Sequence, residues 1–195
     1  MKEIMIATKN PGKVKEFEHI FKKFQIQVKS LLDFPDMEDV EETGETFEDN
    51  ALLKARTIAK LQNIVVLADD SGLEIEALDG RPGVYSARYA GPDRSDAANM
   101  EKVLSEMEDV TTRAAQFVCA LAMVIPDGDE YVVRGTCPGI INRQPIGDEG
   151  FGYDPIFYLP EIDKTMAEIP KSQKNVLSHR ANAFKKLEKI LQHLL

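Results

Sequence analysis

Residues 114–125 read AAQFVCALAMVI, with Gln116 the one clearly polar side chain in the run. The segment is shorter than the roughly 18 apolar residues a membrane span needs. It ends at Pro126-Asp127-Gly128-Asp129, a turn signature. An apolar run of this kind, without alternation, reads as a central strand buried on both faces. Residues 130–135 return as its hairpin partner. A strand covered on both sides calls for layers of helix around a sheet, so the expected class is α/β.

The neighbouring segments supply those helices. Residues 4–7 (IMIA) read as a short buried strand, and Asn10-Pro11 starts a helix: Asn caps well, and Pro is tolerated at the first helical position. Val14, Phe17, Phe21 and Phe24 give that helix an apolar face. A second helix begins near Thr46, where Thr46-Phe47-Glu48-Asp49 resembles a capping box built with Asp. Its stripe is Phe47, Ala51, Ala55, Ile58 and Ala59. Ile64 to Ala68 reads as a continuous apolar strand, ended at Asp69-Asp70-Ser71-Gly72. A third helix covers Asp96 to Met107. A last one runs from about Ser172 onward, with Val176, Ala183, Phe184, Leu187, Ile190, Leu191 and Leu194 inward. One hairpin interrupts the alternation of helix and strand, so the sheet should be mixed.

The 195 residues suit one domain, 1–195, or one domain in two lobes. Two cysteines, Cys119 and Cys137, are too few for a disulfide framework or a cysteine zinc site. The N-terminal residues lack a signal peptide's apolar stretch. The expectation is a soluble protein of a reducing cytoplasm, with no membrane partner. The net charge of −9 argues against a nucleic-acid footprint. Residues 33–49 hold nine acids and no Lys or Arg, while residues 1–29 hold seven Lys against three acids. Charge alone reads as solvated faces.

Five segments carry chemistry. Thr8-Lys9-Asn10-Pro11-Gly12-Lys13 lies between a strand and a helix. It reads either as a phosphate cradle at a helix N-terminus or as a capped helix with solvated lysines. It is not a Walker A loop. Asp69-Asp70-Ser71-Gly72 abuts a buried strand, and carboxylates there suit Mg²⁺. Adjacent side chains on a strand point opposite ways, so one Asp should face the metal and the other brace the turn. The plainer alternative is an Asx turn. Glu41-Glu42, before Thr43-Gly44, can donate a second carboxylate. In Gly150-Phe151-Gly152-Tyr153-Asp154-Pro155, the aromatics can stack on a base and Asp154 can accept from a base N–H. Lys174 and Ser178-His179-Arg180 offer donors to a carbonyl or phosphate. A Ser-His-Asp hydrolase is a poor reading, since adjacent Ser and His on a helix do not face each other.

Taken in order, these segments resemble the Ham1 / inosine triphosphatase family. The likeness is carried by Thr8-x-Asn10-x-x-Lys13, then Gly44-x-Thr46-Phe47-x-x-Asn50-Ala51-x-x-Lys54-Ala55 and Ala68-Asp69-Asp70-Ser71-Gly72-Leu73. It continues in Pro82-Gly83-Val84-Tyr85-Ser86-Ala87-Arg88-Tyr89, Gly150 to Pro155 and Ser178-His179-Arg180. Asp49 departs from the family's Glu. The resemblance implies a two-lobed α/β fold around a long twisted mixed β-sheet flanked by helices, with the active site in the cleft between the lobes, and a homodimer. It implies Mg²⁺-dependent hydrolysis of ITP, dITP and XTP to the monophosphate and pyrophosphate. By position, Thr8, Lys9, Asn10, Pro11, Gly12 and Lys13 would hold the triphosphate. Glu41 and Asp70 would hold the metal, with Glu42 as the alternative register. Asp70 would accept the proton, with Asp69 and Lys54 beside it in the catalytic group. Ser71, Phe151, Gly152, Tyr153, Asp154, Lys174, His179 and Arg180 would bind substrate. Donors from His179 and Arg180 would pair with a 6-oxo purine and be left unpaired by adenine, a basis for strong discrimination.

Overall fold

The computed structural model describes residues 2–194. Seven strands form one sheet: β1 (Glu3–Ile6), β2 (Gln27–Ser30), β3 (Val66–Ile75), β4 (Ala114–Val124), β5 (Glu130–Ile141), β6 (Phe157–Leu159) and β7 (Lys164–Thr165). Their order is β2-β1-β3-β4-β5-β6-β7. β1 runs parallel to β2 and β3, whereas β6 is antiparallel to β5 and β7. The sheet is therefore mixed, as expected. β4 takes its central place, with Phe117 to Val124 all buried. The helices are α1 (Pro11–Lys22), α2 (Phe47–Gln62), α3 (Asp96–Glu106), α4 (Lys171–Leu177) and α5 (His179–Leu194). No helix among the described residues is long and apolar enough to cross a membrane.

The chain forms two compact units. The first comprises Met1–Asp70, Ala120–Arg134 and Phe184–Leu195. The second comprises Ser71–Cys119 and Gly135–Ala183. In the first unit α1 buries Val14, Phe17 and Phe21, and Phe21 meets Phe184 of α5 edge-on at 5.8 Å between ring centroids. Each such buried aromatic is worth about 1.5–3 kcal/mol over exposure. The α2 stripe of Ala51, Ala55, Ile58 and Ala59 is buried as its spacing predicts. Thr46 caps α2: its hydroxyl accepts from the Asp49 N–H at 3.1 Å and donates to Asp49 Oδ2 at 2.7 Å. The short Asp thus closes the cap through the hydroxyl. In the second unit the core gathers Leu73, Val103, Met107, Phe117, Tyr153 and Phe157, with Phe117 stacked on Phe157 at 4.1 Å.

Five expectations are corrected. β3 does not end at Asp69 but runs through Asp69-Asp70-Ser71-Gly72 to Ile75; lysines distant in sequence compensate the acids inside the strand. β5 extends past residue 135 to Ile141. The last helix is two helices, because Ser178 takes an extended backbone (φ −67°, ψ 158°) and accepts from the Ala181 N–H as a cap for α5. Val176, expected inward, is 57% exposed, since α4 buries none of its residues. Phe24 lies beyond the last residue of α1 and is half-buried. The short strands β2, β6 and β7 had no readable sequence signal.

Candidate active site

In the first unit the β1–α1 turn is a capped helix start. Asn10 accepts from the Gly12 and Lys13 N–H groups at 2.8 and 3.2 Å, and its own N–H donates to Thr8 Oγ1 at 3.2 Å. Asn10, Pro11 and Gly12 are exposed, at the positive end of α1. Lys9 leaves the turn to donate to the Met37 carbonyl at 2.8 Å and to pair with Asp39 at 3.0 Å. Lys13 points the other way and pairs with buried Asp69 at 2.6 Å.

β3 splits its two acids as strand geometry requires. Asp69 is held by Lys13, while Asp70 Oδ2 accepts from Asn50 Nδ2 at 3.1 Å. Lys54, from α2, donates to the Asp69 carbonyl at 2.6 Å and to Glu42 Oε1 at 2.8 Å, and stands 4.0 Å from Asp70 Oδ1. Of the two adjacent glutamates, Glu42 is the one that reaches this cluster. Glu41 is exposed. Burial pushes the Asp70 carboxyl up to about 6. Lys54 and the Asn50 amide pull it down, and Glu42 and Asp69 add to the rise. Burial works against the charge on Lys54, but the pull of Asp69, Asp70 and Glu42 together outweighs it and holds the ammonium above its ordinary value. The cluster thus combines a carboxyl raised toward neutrality with one lysine, Lys54, held firmly charged.

The second unit holds the other predicted residues. Ser71 follows Asp70 on β3 and is half-buried. Asp154 is buried and gathers its loop: Oδ2 accepts from the Phe151 N–H at 2.9 Å and from Lys174 Nζ. Burial raises its pKa against the opposing effects of Lys174, the Phe151 N–H and Arg180. Gly150 has φ +85°, and a Cβ there would stand 2.0 Å from Asp154 Oδ2. The loop therefore closes this tightly only around glycine. Phe151 is 53% exposed, with Lys174 Nζ 5.0 Å from its ring centroid, and offers a free face for stacking. Tyr153 is a different case. It is 5% exposed, and its hydroxyl donates to the Ser86 carbonyl at 2.7 Å. It braces the loop from the core. Gly152 donates its N–H to Asp96 at 2.7 Å. His179 and Arg180, the first residues of α5, are buried, and the His179 ring lies 5.0 Å from Phe117.

Two contributors escape a linear reading. Asn50 joins the acid cluster, and its one signal is a polar residue beside Phe47 and Ala51 in an apolar stripe. Ser86 accepts from the Leu73 N–H at 2.8 Å and donates to the Gly83 carbonyl at 2.6 Å. It links β3 to the segment that receives Tyr153, and no spacing announces that role.

Comparison with known proteins agrees with this geometry. The Ham1 family profile matches residues 4–190. The chain is 54% identical over 192 residues to the dITP/XTP pyrophosphatase of Bacillus anthracis, covering 96% of this chain and 95% of that protein. It is 55% identical over 193 residues to the protein of the same name from Halalkalibacterium halodurans, covering 98% and 100%. The solved Staphylococcus aureus Ham1 protein superposes with a TM-score of 0.93 at 49% identity over the whole of both chains. A HAM1 protein from Coxiella burnetii gives 0.93 at 41%, over 99% of this chain and 100% of that one. By sequence and by fold, the chain belongs to the Ham1 family.

Proposed function

We propose that the protein hydrolyses non-canonical purine nucleoside triphosphates, ITP, dITP and XTP, to the nucleoside monophosphate and pyrophosphate, as a Mg²⁺-dependent cytoplasmic homodimer. The observation that carries this reading is the cluster around Lys54: the buried Asp70 carboxylate, held by Asn50, stands 4.0 Å from Lys54 Nζ, which also pairs with Glu42, beside Lys13-paired Asp69. Water adds to the α-phosphorus, the bond to the bridging oxygen breaks, and pyrophosphate departs with that oxygen. Asp70 takes the water's proton. Lys9, Lys13 and Lys54 offset the phosphate charge, in exchange for their present carboxylate partners. No covalent nucleophile is needed.

Asp70 and Glu42 suit Mg²⁺, a hard cation that takes one or two carboxylates and completes its shell with water and phosphate oxygens. When bound, the ion supplies charge neutralisation on the phosphates and a lowered pKa for the attacking water. For the base, Phe151 offers a stacking face, and Lys174, His179 and Arg180 supply donors for a 6-oxo group. The names of the relatives support this substrate class. The cytoplasmic assignment draws on two buried thiols, Cys119 and Cys137. The homodimer follows from family resemblance.

The test is pyrophosphate release from ITP, XTP, ATP and GTP, each with Mg²⁺ and with EDTA. Fast release from ITP and XTP, abolished by EDTA, is the expected result. Equal rates on all four would refute the base-recognition argument, and no release from any would refute the activity.

A further inference from the structure

Asn50 is an amide where helix and core chemistry both disfavour one. It lies in the first turn of α2 and is fully buried, at 0% exposure. Asn forms helix less readily than Ala, and a buried amide must find partners. It finds two. Its Oδ1 accepts from the Gly44 N–H at 2.7 Å, and its Nδ2 donates to Asp70 Oδ2 at 3.1 Å. These neighbours fix its orientation. A backbone N–H only donates and an ionised carboxylate only accepts, so turning the amide over would break both bonds. The approach to Gly44 leaves no room for a side chain there: a Cβ would stand 2.8 Å from Asn50 Oδ1 and 2.7 Å from the Asp49 Cβ. Gly44 is two residues past Glu42. One side chain therefore ties down both the acidic segment, at Gly44, and one oxygen of the strand carboxylate.

We propose that Asn50 is a positioning residue whose amide sets the spacing and orientation of the Asp70 and Glu42 carboxylates for a divalent cation. The inference rests on the Mg²⁺-dependent reading given above. With Nδ2 holding Oδ2, Asp70 turns Oδ1 toward Lys54, 4.0 Å from its Nζ, and the Gly44 anchor keeps Glu42 at 2.8 Å from the same atom. Groups that orient metal ligands in this way typically change metal affinity or activity 10–100-fold when removed.

Two variants test it. Asn50→Ala removes both bonds. Asn50→Asp keeps the size and the acceptor for Gly44 but replaces the donor to Asp70. Mg²⁺ titrated into the nucleotide-free protein, followed by thermal shift, is expected to bind each variant about 10–100-fold more weakly than wild type. ITP turnover at saturating Mg²⁺ is expected to lose kcat by a similar factor, with KM for ITP within about threefold. A Mg²⁺ affinity within threefold of wild type in the variants overturns the proposal, as does a wild-type protein that shows no Mg²⁺ response. A rise in KM with kcat and Mg²⁺ affinity kept also overturns it. If Asn50→Ala fails to fold, Asn50→Asp with its Gly44 bond carries the same test. If wild type binds Mg²⁺ but releases no pyrophosphate, the pyrophosphatase reading fails while the titration still decides the role of Asn50.

Discussion

Asp70→Asn is expected to abolish turnover and, in metal-free protein, to make the fold more stable. The Asp70 carboxyl sits at about 6 in the folded protein, against 3.8 for the ordinary group, chiefly because it is buried. Its folded pKa is raised, so the native state binds the extra proton between those two values. Stability associated with Asp70 is then fully present below about pH 3.8 and is lost as pH rises through 6. At pH 7.5 the ionised group costs roughly two pKa units, or about 3 kcal/mol. That figure already contains the attraction to Lys54, which lowers the same pKa. The amide keeps the shape, removes the charge and still offers an oxygen to Asn50 Nδ2. Urea unfolding in EDTA should therefore show Asp70→Asn more stable than wild type by about 1–3 kcal/mol at pH 7.5, shrinking to under about 1 kcal/mol at pH 4. Saturating Mg²⁺ should narrow or reverse the order, since ligand at 100 times its Kd adds about 2.7 kcal/mol to the form that binds it. A variant no more stable than wild type at pH 7.5, or a gain that persists unchanged at pH 4, would refute the reasoning.

Lys13→Met should destabilise by about 3–5 kcal/mol in urea, because it strips the ammonium from a buried carboxylate; a loss under 1 kcal/mol would show that Asp69 is held by its other neighbours. Phe151→Ala should leave stability within about 0.5 kcal/mol, since the ring is half exposed. It should raise KM for ITP on the order of tenfold or more through lost stacking, and an unchanged KM would remove Phe151 from the base site. Gly150→Ala should cost about 1–3 kcal/mol from its positive φ alone. Its crowding of Asp154 should also weaken nucleotide binding, which isothermal titration would detect.

The central strand, α1, α2 and α3 were legible because each rests on local pattern: an unbroken apolar run, a cap, a repeat near 3.6. The Asp69-Asp70-Ser71-Gly72 run misleads for a physical reason. Locally it is a turn, and only Lys13, 56 residues from Asp69, and Lys54 make it affordable inside a strand. The break at Ser178 is similar: the hydroxyl that caps α5 is a good cap residue, but nothing nearby interrupts the helical pattern. Glu41 and Glu42 are equivalent as a pair of letters, and the position of Lys54 distinguishes them. Tyr153 reads as a stacking face on composition, yet its hydroxyl partner, the Ser86 carbonyl, lies 67 residues away. The chemical residue types at the site were visible in the order of motifs. Their partners were not, because pairing across distant segments leaves no spacing to read.

The first unit is assembled from three stretches, Met1–Asp70, Ala120–Arg134 and Phe184–Leu195. This has a consequence for biosynthesis. A ribosome delivers Lys13, Lys54, Asp69 and Asp70 early, but Phe184, the edge-on neighbour of Phe21, comes more than a hundred residues later. At about 5–20 residues per second the wait is on the order of ten seconds. During that interval the emerging chain carries clustered lysines and acids with their hydrophobic support incomplete. The earliest-made half of the chemistry therefore waits for part of its own unit until the stretch around Phe184 has been made.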